Sequence, residues 1–160
     1  MLTLGEMLIR LGVATVLGFL IGLERESIGK EAGVRTDMLV AAGAALFSIV
    51  GLSLPYIVSV GNLPDVVARN SGFLAVIANI VVGIGFLGAG IIVKQGVHVR
   101  SVTTAASVWF VAAIGVLCGI GLLVFAGIAA ISMVVLLLIF RRLNFLLLIE
   151  KVEEKEKEHT

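Results

Sequence analysis

The sequence predicts an all-α integral membrane protein, a compact bundle of five transmembrane helices with the N-terminus outside and the C-terminus in the cytoplasm. Three observations carry that expectation. Of 160 residues, 59% are hydrophobic and only 14% charged, whereas soluble domains average about 25% charged residues. The mean hydropathy is +1.16, and the apolar residues fall into runs near the roughly 20 residues that cross a hydrocarbon core of about 30 Å. Lysine and arginine collect at the run ends that share one side of the membrane, the pattern of cytoplasmic loops.

The first span is Met7–Leu23. Its apolar run Leu11–Leu23 is preceded by both Glu6 and Arg10 and followed by charge rather than by a small-residue cleavage site, so it reads as a retained helix and not a signal peptide. Arg10 is expected to snorkel toward the headgroups. The second span, Met38–Leu54, ends at Pro55, and Gly61–Asp65 marks an extramembrane loop. Phe73–Val93 is the third, Thr103–Cys118 the fourth and Leu122–Phe140 the fifth. Only Gly119, Ile120 and Gly121 separate the last two, which predicts a tight helical hairpin. Residues 1–142 thus form the transmembrane domain. Residues 143–160 form a short apolar stretch and then a charged tail, expected to prolong the last helix briefly and to fray.

Five crossings place the Glu24–Asp37 loop, the Lys94–Val102 loop and the C-terminus on one face. That face holds Arg25, Lys30, Arg35, Lys94, Arg100, Arg141 and Arg142, against Arg10 and Arg69 on the other. A net charge of +1 gives no case for a nucleic-acid partner. The single cysteine, Cys118, excludes an internal disulfide, and two histidines cannot make a zinc site alone. No nucleophile, base and orienting group assemble, so an enzyme is not expected.

Gly83, Gly85 and Gly88 formally match a dinucleotide fingerprint. The acidic residue required about 20 positions later is missing, and the glycines lie within an apolar run. They read instead, with Gly90, as places where helices touch, because absent Cβ atoms let backbones approach. Small-residue pairs at Gly18/Gly22, Ala41/Ala45 and Gly115/Gly119 point the same way, toward a compact bundle or a homodimer, and Cys118 reads as a small packing residue.

The candidate polar cluster is Glu24, Arg25, Lys30, Arg35, Thr36, Asp37, Asn79, Arg100, Thr103 and Thr104. Charges at a membrane boundary are either solvated topology anchors or paired groups drawn into the bundle mouth, which tend to mark function. Glu24, Arg35 and Asp37 are the ones expected to be drawn in and paired. Glu24 and Asp37 are the weak candidates for holding hydrated Mg²⁺, which needs only one or two carboxylates; interleaved cations weaken that case. Asn79 is expected to make an interhelical hydrogen bond. Thr103, Thr104 and Ser107 are expected to cap the fourth span.

Gly22–Glu26, Lys30, Ala32–Thr36, Leu39–Val40 and Gly43–Phe47 resemble the first half of the MgtC/SapB family signature. Gly83–Gly90, Val99–Arg100, Thr103–Trp109 and Ala112–Gly115 resemble its second half in the right order. The resemblance implies a bacterial inner-membrane protein linked to growth at low Mg²⁺ and to survival inside host cells. It implies a regulator that engages other membrane complexes, including the F-type ATP synthase, with an ion transporter or channel as the alternative. Two departures stand out. Ala75 and Asn79 occupy places where members usually carry arginine and glutamine, and the sequence stops at Thr160 where many members continue into an ACT-like domain, so that domain is expected to be missing.

Overall fold

The computed structural model of the chain describes residues 2–58, 71–95 and 98–158. Its helices are α1 (Leu4–Ser27), α2 (Val34–Val58), α3 (Ser71–Ile91), α4 (Val102–Ile120) and α5 (Leu123–Glu158). Each contains a stretch long and apolar enough to cross a bilayer. The chain is a multi-pass helical membrane protein. The expected loop at Gly61–Asp65 and Arg69 lie outside the described residues.

Helix ends depart from the hydropathy pattern where polar groups do the ending. α1 begins three residues ahead of its apolar run because Thr3 and Glu6 form a reciprocal cap: the Glu6 N–H donates to Thr3 Oγ1 at 3.3 Å and the Thr3 N–H to Glu6 Oε2 at 2.8 Å. Such a box satisfies two otherwise orphaned donors. α2 continues past Pro55 to Val58. Proline removes a single N–H there, too late in the helix to stop it. α5 continues unbroken through the charged tail to Glu158.

Val93 does not extend the third span. Residues Val93–Gln95 (β1) and His98–Arg100 (β2) form an antiparallel hairpin, with Val93 opposite Arg100 and Gln95 opposite His98. Pairing two short strands satisfies the backbone groups of the connection between α3 and α4, where the sequence suggested a plain basic loop.

The bundle is centred on α1, α2 and α4, with α3 lying against α4 and α2, and α5 against α1 and α4. Its core contains Ala14, Leu17, Ile21, Ala41, Ala45, Val111, Ile114 and Cys118, joined by Ala126 and Ala130 of α5. Alanines dominate the α2 contribution because the backbones are close. A Cβ at Gly18 would sit 2.6 Å from the Asp37 carbonyl oxygen, and one at Gly22 would sit 2.6 Å from Val34 Cα. Gly115 meets the Ala41 carbonyl oxygen and Gly119 the Ala45 carbonyl, at 2.7 Å for the latter. All four glycines therefore hold α1 and α4 against α2.

The glycines of α3 behave differently from expectation. A Cβ at Gly83, Gly85 or Gly90 would meet nothing within 4 Å, and at Gly88 it would make ordinary contact with Ala105 at 3.7 Å. Within the described bundle, close approach belongs to α1–α2 and α2–α4, not to the glycine-dense run. At the opposite end from the hairpin, Arg10 Nη1 donates to the Gly119 carbonyl at 2.8 Å. This side chain turns inward and ties α1 to the end of α4 rather than reaching outward to headgroups.

These contacts predict opposite outcomes for two glycine substitutions. Gly115→Ala forces its methyl into the α2 backbone and is expected to cost about 1–3 kcal/mol, the range for overpacking. Gly85→Ala is expected to leave stability unchanged or slightly raised. Thermal unfolding in detergent measures both; equal losses would contradict the packing described.

Candidate functional site

At the end of the bundle that carries the hairpin, three elements bring polar side chains together. α1 closes with Ile28 donating to the Arg25 carbonyl at 3.4 Å and Lys30 returning to the same oxygen at 3.1 Å, through Gly29 at φ +65°. That left-handed turn suits glycine and sends the chain straight back into α2. Glu26 of α1 helps to start α2 by accepting from the Val34 N–H at 2.9 Å, where a carboxylate also meets the positive end of the helix dipole. The short turn keeps Arg25 near Asp37.

Arg25, at 2% exposure, is the largest side chain fully enclosed in the bundle; Glu24 is 7% exposed and Asp37 0%. Arg25 Nη1 lies 3.7 Å from Glu24 Oε2, an ion pair too long for a hydrogen bond. Arg25 Nη2 donates to Thr104 Oγ1 at 3.5 Å, and Thr104 Oγ1 in turn donates to Glu31 Oε2 at 3.2 Å. Ser101 Oγ donates to Glu31 Oε1 at 2.5 Å. Neither carboxylate oxygen of Glu24 or Asp37 receives a hydrogen bond from a described residue, and Arg25 Nε donates to none. Buried charges without full partners are costly. Arg25, acting through space, is the opposite charge that offsets Asp37.

Several expected roles change. Glu24 is paired with Arg25, its neighbour, and Arg35 is exposed; one turn into α2, the Arg35 side chain projects away from the mouth while Asp37 projects into it. Thr104 does not cap α4, because it is buried at 1% exposure and engaged by Arg25 and Glu31. The cap position belongs to Ser101, in a left-handed conformation at φ 67° and without a side-chain capping bond. Ser107 bonds its own helix at the Thr104 carbonyl, 2.8 Å away. Thr103 and Arg100 are exposed, and Thr36 is half-buried.

Asn79 is remote from this cluster. It lies in a groove of about 500 Å³ between α2 and α3, lined by Val40, Phe47, Val76 and Gly83 among others. It forms no hydrogen bond with another described residue, so the interhelical bond expected of it is not made there. Glu31 and Ser101 are absent from the candidate residues read from the sequence, and Arg10 is expected from it to reach the headgroups instead. Their partners lie 70 to 109 positions away, and no local spacing encodes such a pairing.

A small cleft of about 240 Å³ opens over Glu31, Ser101 and Thr104, with Lys30 and Arg100 at its rim. The hydrogen bond from Ser101, then those from the backbone and Thr104, and the charge of Lys30 hold the Glu31 carboxyl below its ordinary value of 4.5. For a resident divalent cation the donor set is poor. Glu24 and Asp37 supply unpartnered oxygens, but a guanidinium sits 3.7 Å from one of them and repels any second positive charge placed there.

The model of the MgtC family matches residues 11–146. The chain belongs to the MgtC family. It is 45% identical to Protein MgtC of Brucella abortus over 121 residues, which are 76% of this chain and 45% of that protein. It is 44% identical to Protein MgtC of Salmonella typhimurium over 114 residues, 71% of this chain and 43% of the relative. An uncharacterised Synechocystis protein is 45% identical over 117 residues, 73% and 44% of the two chains. The chain therefore spans less than half the length of the curated relatives it matches. No solved structure matches it. The MgtC-family match includes the whole buried cluster, from Glu24 to Ser107, and the hairpin between α3 and α4.

The Thr104 and Glu31 contacts generate two expectations. Thr104→Val keeps the shape but deprives Arg25 of an acceptor and Glu31 of a donor; a loss of about 1–3 kcal/mol is expected for a buried group left unpaired, read by thermal unfolding. Because the folded-state Glu31 value is depressed, its stabilising contribution is present above 4.5 and lost as pH falls through the lower folded value. Melting temperature measured down that range should fall in the parent chain, and Glu31→Gln should remove that part of the fall.

Proposed function

We propose that this MgtC-family chain is a non-enzymatic regulator linked to Mg²⁺ homeostasis, which acts by docking on larger complexes of the bacterial inner membrane. The observation that carries the reading is the outward face of α3. Apart from Gly88, no residue between Gly72 and Ile91 is buried, Phe86 is 81% exposed, and Asn79 is unpartnered among the described residues. Bare Gly83, Gly85 and Gly90 lie on the same helix. Lipid is a poor partner for an amide and gains nothing from missing Cβ atoms, whereas a second helix uses both. By the positive-inside rule the cluster end faces the cytoplasm. The F-type ATP synthase is the complex that family resemblance puts forward as partner. A second copy of this chain, in a homodimer, would compete for the same face.

An ion transporter or channel is the second reading, favoured by Asp37 and Glu24, whose buried oxygens lack partners. The route beyond them weighs against it. Among the described residues, the buried polar side chains on α2 after Asp37 are Ser48 and Ser53, and eleven residues of helix separate Asp37 from Ser48, about 16 Å at 1.5 Å per residue. Ala41, Ala44 and Ala45 fill that interval.

Co-purification from native membranes tests docking. Gly85→Leu and Asn79→Leu should leave the melting temperature in place and strip the co-purifying complex; an unsubstituted chain that always elutes alone would sink the reading. Mass measurement of the purified chain separates a homodimer from a heterologous complex. Ion flux into liposomes is expected not to exceed that of empty vesicles, and sustained Mg²⁺ uptake lost in Asp37→Asn would establish transport instead.

A further inference from the structure

A cavity of about 930 Å³ lies beside the cluster, between the end of α1, the start of α4 and the middle of α5. Among the described residues its polar wall holds Arg25, Lys30, Arg141 and Arg142, with Glu24 the one carboxylate. Glu24 is already committed to Arg25 at 3.7 Å, so the wall carries a surplus of positive charge. No ion pair engages Lys30, Arg141 or Arg142 with another described residue. Arg25 is 2% exposed and its Nε has no partner among the described residues, a buried cation whose hydrogen-bonding capacity the bundle leaves partly unused. Thr103 adds a hydroxyl to the same wall.

The rest of the lining has a different chemistry. Ile28, Leu137, Leu138 and Phe140 form an apolar floor, and on α5 they lie immediately N-terminal to Arg141 and Arg142, on the membrane side. A ligand filling this cavity would bear an anionic group for the arginines and a hydrocarbon part for the floor. Guanidinium groups match phosphate oxygens in a fixed, bidentate geometry, and basic pockets between transmembrane helices at a membrane surface suit anionic lipid headgroups.

We propose that the cavity between α1 and α5 is a binding site for an anionic phospholipid, whose phosphate is held by Lys30, Arg141 and Arg142 beside buried Arg25 and whose acyl chain lies on Leu137 and Leu138. This is a site in the single chain, independent of any partner on α3. It differs from general attraction of a basic surface to a charged membrane because it requires particular arginines and both parts of the ligand.

The test uses the full chain in a neutral detergent, with thermal unfolding followed against short-chain phosphatidylglycerol, phosphatidylcholine of the same chain length, and inorganic phosphate. Phosphatidylglycerol is expected to raise the melting temperature saturably, with little effect from the other two. Arg141→Gln with Arg142→Gln, on exposed positions that do not threaten folding, should weaken the apparent affinity by about tenfold or more, as expected for two basic residues acting at a membrane surface. Arg35→Gln with Arg100→Gln, at the same end but outside this cavity, should not. The proposal is overturned by an equal response to phosphatidylcholine, by full response to inorganic phosphate alone, by unchanged affinity in the first double variant, or by an equal loss in the second.

Discussion

Contact between bare backbones is the constraint on which the rest of this molecule depends. Within a bilayer the hydrophobic effect does not drive helices together, so close packing must supply the attraction. Gly18 and Gly22 of α1, and Gly115 and Gly119 of α4, let both helices lie directly on the α2 backbone. Dispersion forces fall off steeply with distance, and a methyl group at any of these positions would separate the pair. The same closeness explains why α2 offers Ala41, Ala44 and Ala45 at the contact rather than leucines.

That contact fixes the register of the charged end. With Gly22 seated on Val34, the last turn of α1 lies beside the first turn of α2, and Arg25 is enclosed at 2% exposure. Arg25 instead reaches across to Thr104 on α4. The burial of Glu24, Arg25 and Asp37 is thus a consequence of where the glycines put the helices. Buried ion pairs rarely add net stability over an apolar replacement. The cluster is therefore tolerated by the helix packing and not a source of its stability, and the MgtC-family match covers its residues.

The sequence conveyed the five crossings with little ambiguity, because length and apolarity alone decide them. It also revealed which residue types collect at the basic end. It did not reveal partners. Arg25 and Arg35 look equivalent in the chain, and only the helical phase of Asp37 against Arg35 determines which arginine turns inward. Thr104 read as a local helix cap, and its hydrogen bond to Glu31, 73 positions away, takes the place of that role. Glycine shows the same limit. A missing Cβ permits a close neighbour without naming it, so Gly115 and Gly85 read alike although one is filled by α2 and the other faces outward.

Arg10 at the far end has a consequence for the surrounding bilayer. α4 has 19 residues, about 28 Å of helix at 1.5 Å per residue, slightly short of an average hydrocarbon core. Its penultimate carbonyl, at Gly119, accepts from a guanidinium belonging to α1. A helix of this length matches a hydrocarbon core somewhat thinner than average, and a thicker one meets it with hydrophobic mismatch. Bilayers of smaller thickness would accommodate α4 with less deformation.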